Sequence, residues 1–299
     1  MPLAIEIRNG YVNLVEANVS KSEILVKKVH SYKFDETWIS EAGIVKVEEF
    51  AGLLKKELAK AQMKDKNVTV CVNNNAIIYR ELNLPVVDEV KIPLLVRSEM
   101  MNNLNLTPDY IMDYVFIEEL KNEKMNQFRV LGVALHKEYI ESILDVLHHL
   151  NLKAKVIDGA ANAMIKYVDS AKVVPDEGLV IVTDIEESYL RQYLFENGNY
   201  ALSRNNRIEE FSKKEKEEGI ASIIDNINKM IQFSYTRGQS TLTKVILTGN
   251  DDYLNTIKKQ VKDSIGIECE ILAPQTNIRG LKYENRYVNA IGGLMRVSK

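Results

Sequence analysis

Two segments of this 299-residue chain share one pattern, and that pattern limits the folds open to it. Each has an apolar strand that ends near an acid, a short polar turn and a second apolar strand. The first is residues 3–17, with Glu6 as the acid, and the second is residues 178–198, with Asp184. Glycine and polar residues in the turn favour a tight hairpin. Because each hairpin opens one half of the chain, we predict an internal duplication and two related lobes.

Composition is that of a globular chain and excludes several partners. With 45% hydrophobic and 27% charged residues, a chain of this length can bury a core in each of two domains. Its 39 lysines and arginines against 42 aspartates and glutamates leave a net charge of −3, whereas nucleic-acid binders carry a basic excess. The two cysteines, Cys71 and Cys269, lack the spacing of a metal or redox pair. We therefore expect no nucleic-acid partner and a reducing compartment.

The patterns of secretion and membrane insertion are also missing from the sequence. The first residues do not have the basic and apolar segments of a signal peptide. Apolar runs stay well below the roughly 18 residues that a spanning helix needs. We expect a cytoplasmic protein that reaches the membrane only through partners.

A proline, two acids and a glycine within residues 173–178 mark the boundary between the two predicted lobes. The first lobe is residues 1–174, with its core in 1–85 and 158–174 and a small α+β insertion at 86–157. The second lobe is residues 175–299, with its core in 175–205 and 240–299 and a helical insertion at 206–239.

Apolar side chains at helical spacing predict several amphipathic helices. Phe50, Leu54 and Leu58 share one face of the first of them, whereas Glu57 is expected in solvent. In the second half, the short strand 244–247 is followed by a Thr-Gly turn and a helix. Strand, glycine turn and helix in this order are typical of an α/β fold.

Several motifs together resemble a known family. They are LAIEI and VNLVEA in the first hairpin, RVLGVALHKEYIESILDVLHHLNLKAKVID at 129–158, VTDIEESYLRQYLFENG in the second hairpin, KVILTGNDDYL, and YVNAIGGLMR at 287–296. In order and spacing they resemble the PilM family of type IV pilus assembly proteins, which are relatives of FtsA in the actin-like ATPase superfamily. The resemblance implies an α/β, actin-like ATPase (ribonuclease H-like) fold, duplicated into two lobes, with a small inserted α+β subdomain.

The resemblance also implies a site for ATP and Mg²⁺ in the cleft between the lobes. Carried onto this sequence, the nucleotide-binding residues are Glu6, Asn9, Gly10, Asp184, Ser188, Thr248 and Gly249, with Asp184 as the Mg²⁺ ligand.

The two predicted phosphate loops depart from the family pattern. Glu6 stands where the family has aspartate, and Glu186 and Glu187 replace a glycine and a small residue. Two added negative charges repel a phosphate by about 1 kcal/mol per charge pair in water, and by more when partly buried, unless a metal compensates. These replacements disfavour nucleotide binding.

A plainer interpretation therefore stands beside the nucleotide site. Glu6 and Asp184 would be acids at strand ends without a ligand, because a fold does not carry a function unless its site is present. Gly10 and Gly249 would serve tight turns, and Thr248 would cap the next helix.

By resemblance, the function is that of a cytoplasmic scaffold of type IV pilus assembly. It would bind the cytoplasmic N-terminal tail of a PilN-like inner-membrane protein in a groove between the 86–157 insertion and the first lobe. It would link that protein to the assembly ATPase complex, with self-association as a further expectation. The sequence does not identify the groove residues. An active ATPase or small-molecule kinase of the same superfamily remains an alternative, and an FtsA-like filament protein is a weaker one.

Overall fold

The computed structural model describes residues 2–20, 23–73, 75–121, 126–186, 188–208, 216–236, 242–273 and 277–295. In the first half of the chain the strands and helices are β1 Leu3–Arg8, β2 Tyr11–Val19, β3 Ile24–Lys33, β4 Ile39–Ser40, β5 Gly43–Ile44, α1 Val47–Lys60, β6 Asn67–Asn73, β7 Ile78–Pro85, α2 Ile92–Leu104, β8 Tyr110–Lys121, β9 Asn126–His136, α3 Lys137–His149, β10 Lys153–Gly159 and α4 Ala160–Ala171. In the second half they are β11 Leu179–Ile185, β12 Tyr189–Glu196, β13 Asn199–Arg207, α5 Lys216–Tyr235, β14 Leu242–Gly249, α6 Asp251–Ile265, β15 Glu268–Ile271, β16 Ile278–Gly280 and α7 Val288–Leu294.

Two sheets with the same strand order form the two lobes. The first runs β10-β6-β1-β2-β3, with β16 added beside β3, and the second runs β15-β14-β11-β12-β13. In both, three antiparallel strands are followed by two strands parallel to the first. The repeated order confirms the predicted duplicated two-lobed fold.

Helices cover the outer faces of the two sheets, and a shared core joins the inner faces. In β1, Leu3 and Ile5 pack outward in a cluster with residues of α1 and α3, whereas Ala4 faces inward. The second sheet packs outward against α5 and α6. The inner cluster combines Ala4 with Met164 of α4, Val182 of β11 and side chains of α7. Because side chains alternate along a strand, every second residue of β1 and β11 faces the other lobe.

The inserted subdomain consists of a three-stranded sheet in the order β7-β9-β8 together with α2. It therefore spans residues 78–136, which differs from the predicted limits 86–157. The helix α3 and the strand β10 fell within the predicted insertion, but β10 pairs with β6 in the first sheet and α3 packs against it from outside. The insertion reaches the second lobe through Arg129, whose Nη2 donates to the backbone oxygen of Tyr200 at 2.6 Å.

The predicted limits of the second lobe also differ from the strand pairing. Helix α5 was assigned to a helical insertion at 206–239, yet it covers the second sheet between β13 and β14, as α1 covers the first sheet between β3 and β6. Residues 209–215 and 237–239 of that range lie outside the described residues. The C-terminal segment was assigned to the second lobe, but β16 pairs with β3 and α7 packs in the core between the lobes.

The amphipathic helices occur where they are predicted, with one difference in α1. Phe50, Leu54 and Leu58 are buried as expected, but Glu57 is buried as well. Its Oε2 lies 2.6 Å from Nε2 of His30, so the carboxylate has a partner within the protein. Across the described parts of the chain, no helix is both long and apolar enough to cross a membrane.

Candidate functional site between the lobes

The ends of β1 and β11 meet at the cleft between the lobes, and strand alternation sets which side chains enter it. Glu6 and Arg8 follow Ala4 on the inner face of β1, and Asp184 follows Val182 on the inner face of β11. Glu6 is 0% and Asp184 1% exposed. Two carboxylates from different lobes are thus placed in one buried space.

The Arg8 guanidinium lies between these carboxylates. Its Nη2 donates a hydrogen bond to Oδ2 of Asp184, and its Nε lies 3.1 Å from Oε1 of Glu6. The same Nε lies 3.0 Å from Oε1 of Glu186, the residue that follows β11. Arg8 is itself only 4% exposed. One buried cation of the first lobe therefore contacts two acids of the second lobe and one of its own.

Asparagine amides bind the carboxylate oxygens as well. Asn13 Nδ2 donates to Oε2 of Glu6 and Asn73 Nδ2 donates to Oε1, both at 2.9 Å. Asn289 Nδ2, from α7, donates to Oδ2 of Asp184 at 2.9 Å. These amides take the place of water around the buried carboxylates of Glu6 and Asp184.

Burial and neighbouring charges set the pKa values in the cluster. Burial raises the pKa of Glu186 to about 7 against the opposing charge of Arg8, and the charge of Asp184 adds to the rise. Burial acts to lower the pKa of Arg8, but the surrounding carboxylates raise it well above its usual value. The guanidinium stays charged, whereas Glu186 is only partly ionised near neutral pH.

Two of the predicted nucleotide residues lie directly beside Asp184. Thr248 pairs with Asp184 and Gly249 with Ile185 across the parallel strands β14 and β11. Thr248 is buried, and its Oγ1 donates to the backbone oxygen of Asn285 at 3.4 Å. Gly249 has φ +105°, and a Cβ there would lie 2.2 Å from the carbonyl oxygen of Ile185. A tight contact between two strands accounts for this glycine.

The other predicted residues lie in the hairpin turns. Asn9 and Gly10 connect β1 to β2, and Gly10 has φ +74°, which glycine adopts without strain. Ser188 lies between β11 and β12, where its backbone oxygen accepts from the backbone N–H of Ile208 at 2.9 Å. Glu187, predicted to repel phosphate, lies outside the described residues.

Space beside the cluster is limited. A cavity of about 40 Å³ borders it, which holds a few waters at most. It is lined by Arg8, Tyr11, Asn13, Ser31, Ile185, Glu186, Asn250 and Arg286. Pockets for small molecules and cofactors are commonly about 300 to 1,000 Å³. A larger cavity of about 340 Å³ is lined by Asn75, Ile77, Tyr79, Arg191, Ser203 and Asn205. Arg191 is the partner of Asp184 across β11 and β12, so this cavity lies next to the residue that neighbours the acid.

These residues do not fit a magnesium nucleotide as they stand. A guanidinium fills the space between the carboxylates, and amides occupy carboxylate oxygens that a hydrated metal would use. In the described residues, no group of three or more His, Cys, Asp or Glu has the arrangement of a metal site. The arrangement neutralises buried acids and holds two lobes together.

Sequence reasoning missed Arg8 and the three asparagines. One signal was present: the alignment of Glu6 with Asp184 also aligns Arg8 with Glu186, and both pairs are two residues apart, hence on one face of a strand. Opposite charges at equivalent positions of a duplicated hairpin indicate that the hairpins face each other. The asparagines come from other elements, and their spacing in sequence carries no such signal.

The solved structures that resemble this chain share its fold. The structure of a PilM-PilN type IV pilus biogenesis complex matches with a TM-score of 0.82 and 15% identity, covering 98% of this chain and 97% of that chain. A Bacteroides thetaiotaomicron protein with an actin-like ATPase fold and unknown function matches with a TM-score of 0.57 and 12% identity, covering 98% and 95%. The ethanolamine utilization protein EutJ of Carboxydothermus hydrogenoformans matches with a TM-score of 0.56 and 10% identity, covering 98% and 88%. The architecture is therefore that of the actin-like ATPases.

No match is found among curated protein sequences. A family model described as type IV pilus assembly protein PilM matches residues 4–210, more than half of the chain. That range contains the first lobe, the inserted subdomain and both hairpins at the cleft. The chain therefore belongs to the PilM family of type IV pilus assembly proteins.

Proposed function

We propose that this chain is a scaffold of type IV pilus assembly that binds a peptide tail and does its work without a bound nucleotide. The family match over residues 4–210 carries the proposal. The fold shared with the partner-bound PilM of the PilM-PilN complex supports a PilN-like inner-membrane protein as the source of the tail. Through that protein the chain would sit at the inner face of the cell membrane and contact the assembly ATPase complex.

The inserted subdomain is our candidate for the surface that receives the tail. Leu94, in the first turn of α2, is 70% exposed, and Val90, just before that helix, is 85% exposed. Val86, four residues before Val90, is also exposed. Exposed apolar side chains grouped in this way mark surfaces that bind other proteins. On β8, Ile111 and Phe116 are also exposed, but they are five residues apart and therefore lie on opposite faces of the strand.

The experiment is a binding titration between the full chain and a labelled peptide with the sequence of the PilN-like cytoplasmic tail from the same organism. A scrambled peptide is the control for composition. We expect saturable binding of the true sequence only, and equal retention of both peptides would end the proposal.

Substitutions locate the surface separately. Leu94→Glu places a charge on the exposed apolar face, and we expect the tail to bind at least about tenfold more weakly, a change worth about 1.4 kcal/mol. Leu281→Glu alters a residue that is also exposed but lies outside the insertion, and we expect no change. If both variants bind like the unchanged chain, the scaffold role stands and the insertion is not the docking surface.

The contacts of Arg8 support the part of the proposal that concerns nucleotide. An ATPase or kinase of this fold would need phosphate at the ends of β1 and β11, where Arg8 and three acids meet. A coupled assay for ATP turnover, run with and without the tail peptide, tests the enzyme alternative directly. Turnover that disappears in Asp184→Ala would contradict our proposal and support an active ATPase.

A further inference from the structure

We infer that Arg8 is a built-in cation that takes the place of a metal-bound nucleotide and fastens the two lobes together. This role of Arg8 concerns the buried cluster alone and is independent of the partner that the chain binds. Arg8 brings one positive charge to Glu6, Asp184 and Glu186, which belong to two lobes. A divalent ion with phosphates would otherwise be the usual way to hold carboxylates of opposite lobes at one point.

The charged side chains of the cluster are buried. Arg8, Glu6 and Asp184 have side chains that are 5%, 0% and 2% exposed. Buried charges are strongly unfavourable unless they are paired and hydrogen-bonded. Removing one partner of such a buried pair leaves an uncompensated charge and is strongly destabilising, whereas ion pairs on a surface contribute little.

The contact between Arg8 and Asp184 crosses the cleft and joins the two lobes. Arg8 and Asp184 are 176 residues apart in sequence, and each lies at the end of a strand that begins its own lobe. A second link comes from Asn289, which donates to the same oxygen of Asp184 and stands on α7, the helix packed in the core between the lobes. Separating the lobes would break both contacts and leave Asp184 without its cation.

Arg8 excludes a metal ion from the cluster. The guanidinium contacts the same oxygens that a metal would use, so metal and Arg8 cannot occupy the cluster together. Removing the guanidinium while keeping the acids should therefore create a site with the oxygen ligands that Mg²⁺ and Mn²⁺ prefer. The proposal thus predicts that a divalent cation stabilises a variant without Arg8 and has no such effect on the unchanged chain.

The experiment measures thermal unfolding of the full chain with and without millimolar Mg²⁺, Mn²⁺ and Mg-ATP. We expect the unfolding temperature of the unchanged chain to be insensitive to all three, although a micromolar ligand at 1 mM would raise it by roughly 10 °C. We expect Arg8→Met to unfold roughly 5 to 15 °C lower and to recover part of that loss with Mn²⁺ or Mg²⁺. Arg97→Met, which removes an exposed arginine of α2, is the matched control and should change neither quantity.

A double variant keeps the test decisive if Arg8→Met does not fold. Arg8→Met combined with Asp184→Asn removes one charge of each sign, and we expect it to be more stable than Arg8→Met alone and to have lost the recovery with metal. The proposal is overturned if Mg-ATP stabilises the unchanged chain in a way that Asp184→Asn abolishes. It is equally overturned if Arg8→Met unfolds at the same temperature as Arg97→Met.

Discussion

The hairpin of β1 and β2 in the first lobe and the hairpin of β11 and β12 in the second occupy equivalent places in sheets of the same strand order. Their buried faces differ in charge. At two successive inward positions the first lobe carries Glu6 and Arg8, whereas the second lobe carries Asp184 and Glu186. The difference gives each hairpin a partner in the other, because the arginine of one meets both acids of the other.

The two related hairpins of this chain therefore contact each other directly at the cleft, where the resemblance to the actin-like ATPases predicts a ligand. Two hairpins with the same sign of charge would need a cation between them, and two hairpins of opposite sign do not. This chain has hairpins of opposite charge because position 8 is arginine, whereas the equivalent position 186 is glutamate. Substitutions can change the charges and the packing of the two hairpins separately.

Reversing the charge of Arg8 should have the largest effect. Arg8→Glu would place four acids in one buried cluster, and we expect the free energy of unfolding to fall by about 5 kcal/mol or more, because the loss of one buried partner alone costs about 3 to 5. The measurement is urea unfolding followed by circular dichroism. Combining Arg8→Glu with Glu186→Arg returns a cation to the cluster, and we expect it to recover more than half of the loss. A double variant no more stable than Arg8→Glu would show that the sign difference between the hairpins is not what joins them.

The glycine beside the second hairpin should come next. A Cβ at Gly249 would lie 2.2 Å from the carbonyl oxygen of Ile185, and the residue has φ +105°. We expect Gly249→Ala to cost about 3 to 4 kcal/mol from backbone strain and overpacking together. Gly266 also has positive φ, +73°, but open space around it, so Gly266→Ala should cost only about 1 kcal/mol. Equal losses in urea unfolding would mean that strand contact at Gly249 is unimportant.

Much of the fold could be predicted from the sequence because its signals are local or repeated. The alternation of side chains marks both hairpins, the apolar faces of α1 and α6 mark helices, and the order of motifs indicates the actin-like fold. The insertion limits were less predictable. The strand β7 directly follows the core strand β6, and its sequence IYRELNLP resembles a continuing core strand, so nothing local shows that it pairs with β9 instead.

The site was predictable only in part, since its contacts join distant parts of the chain. Glu6 and Asp184 were identified as a facing pair, and the structure brings them to one buried cluster. Their partner Arg8 was missed, because the only sequence signal for it is the comparison of the two hairpins, which places Arg8 opposite Glu186. Glu57 was expected in solvent because it is an acid, although it lies seven residues after Phe50 and three after Leu54, on the buried face of α1. Only the tertiary contact shows that His30 is the partner of its carboxylate.

Neutralising the two acids of the second hairpin one at a time ranks their roles. Asp184→Asn should lower the free energy of unfolding by about 2 to 3 kcal/mol at pH 7.5, because it weakens charge-assisted hydrogen bonds in a buried site. Glu186→Gln should lower it by only about 1 kcal/mol, since an acid with a raised pKa carries less than a full charge at that pH. The pKa of Glu186, raised to about 7, means that this acid is only partly charged there. Urea unfolding of both variants decides the order, and a larger loss in Glu186→Gln would reverse our assignment of Asp184 as the main partner of Arg8.

The smallest effect concerns the outer layers, where the lobes also differ. Helix α1 buries the acid Glu57 beside His30, whereas the buried polar side chain described on α5 is the uncharged Ser234. The hydrogen bond from His30 lowers the pKa of Glu57 below its usual value of 4.5. A lowered pKa of an acid stabilises the folded state above pH 4.5, and this contribution is lost as the pH falls through the lowered value. We therefore expect Glu57→Gln to flatten the loss of stability below pH 4.5 by less than about 1 kcal/mol, measured as urea midpoints from pH 3 to 6. Parallel curves for the variant and the unchanged chain would show that the Glu57–His30 contact does not contribute to the acid sensitivity of the first lobe.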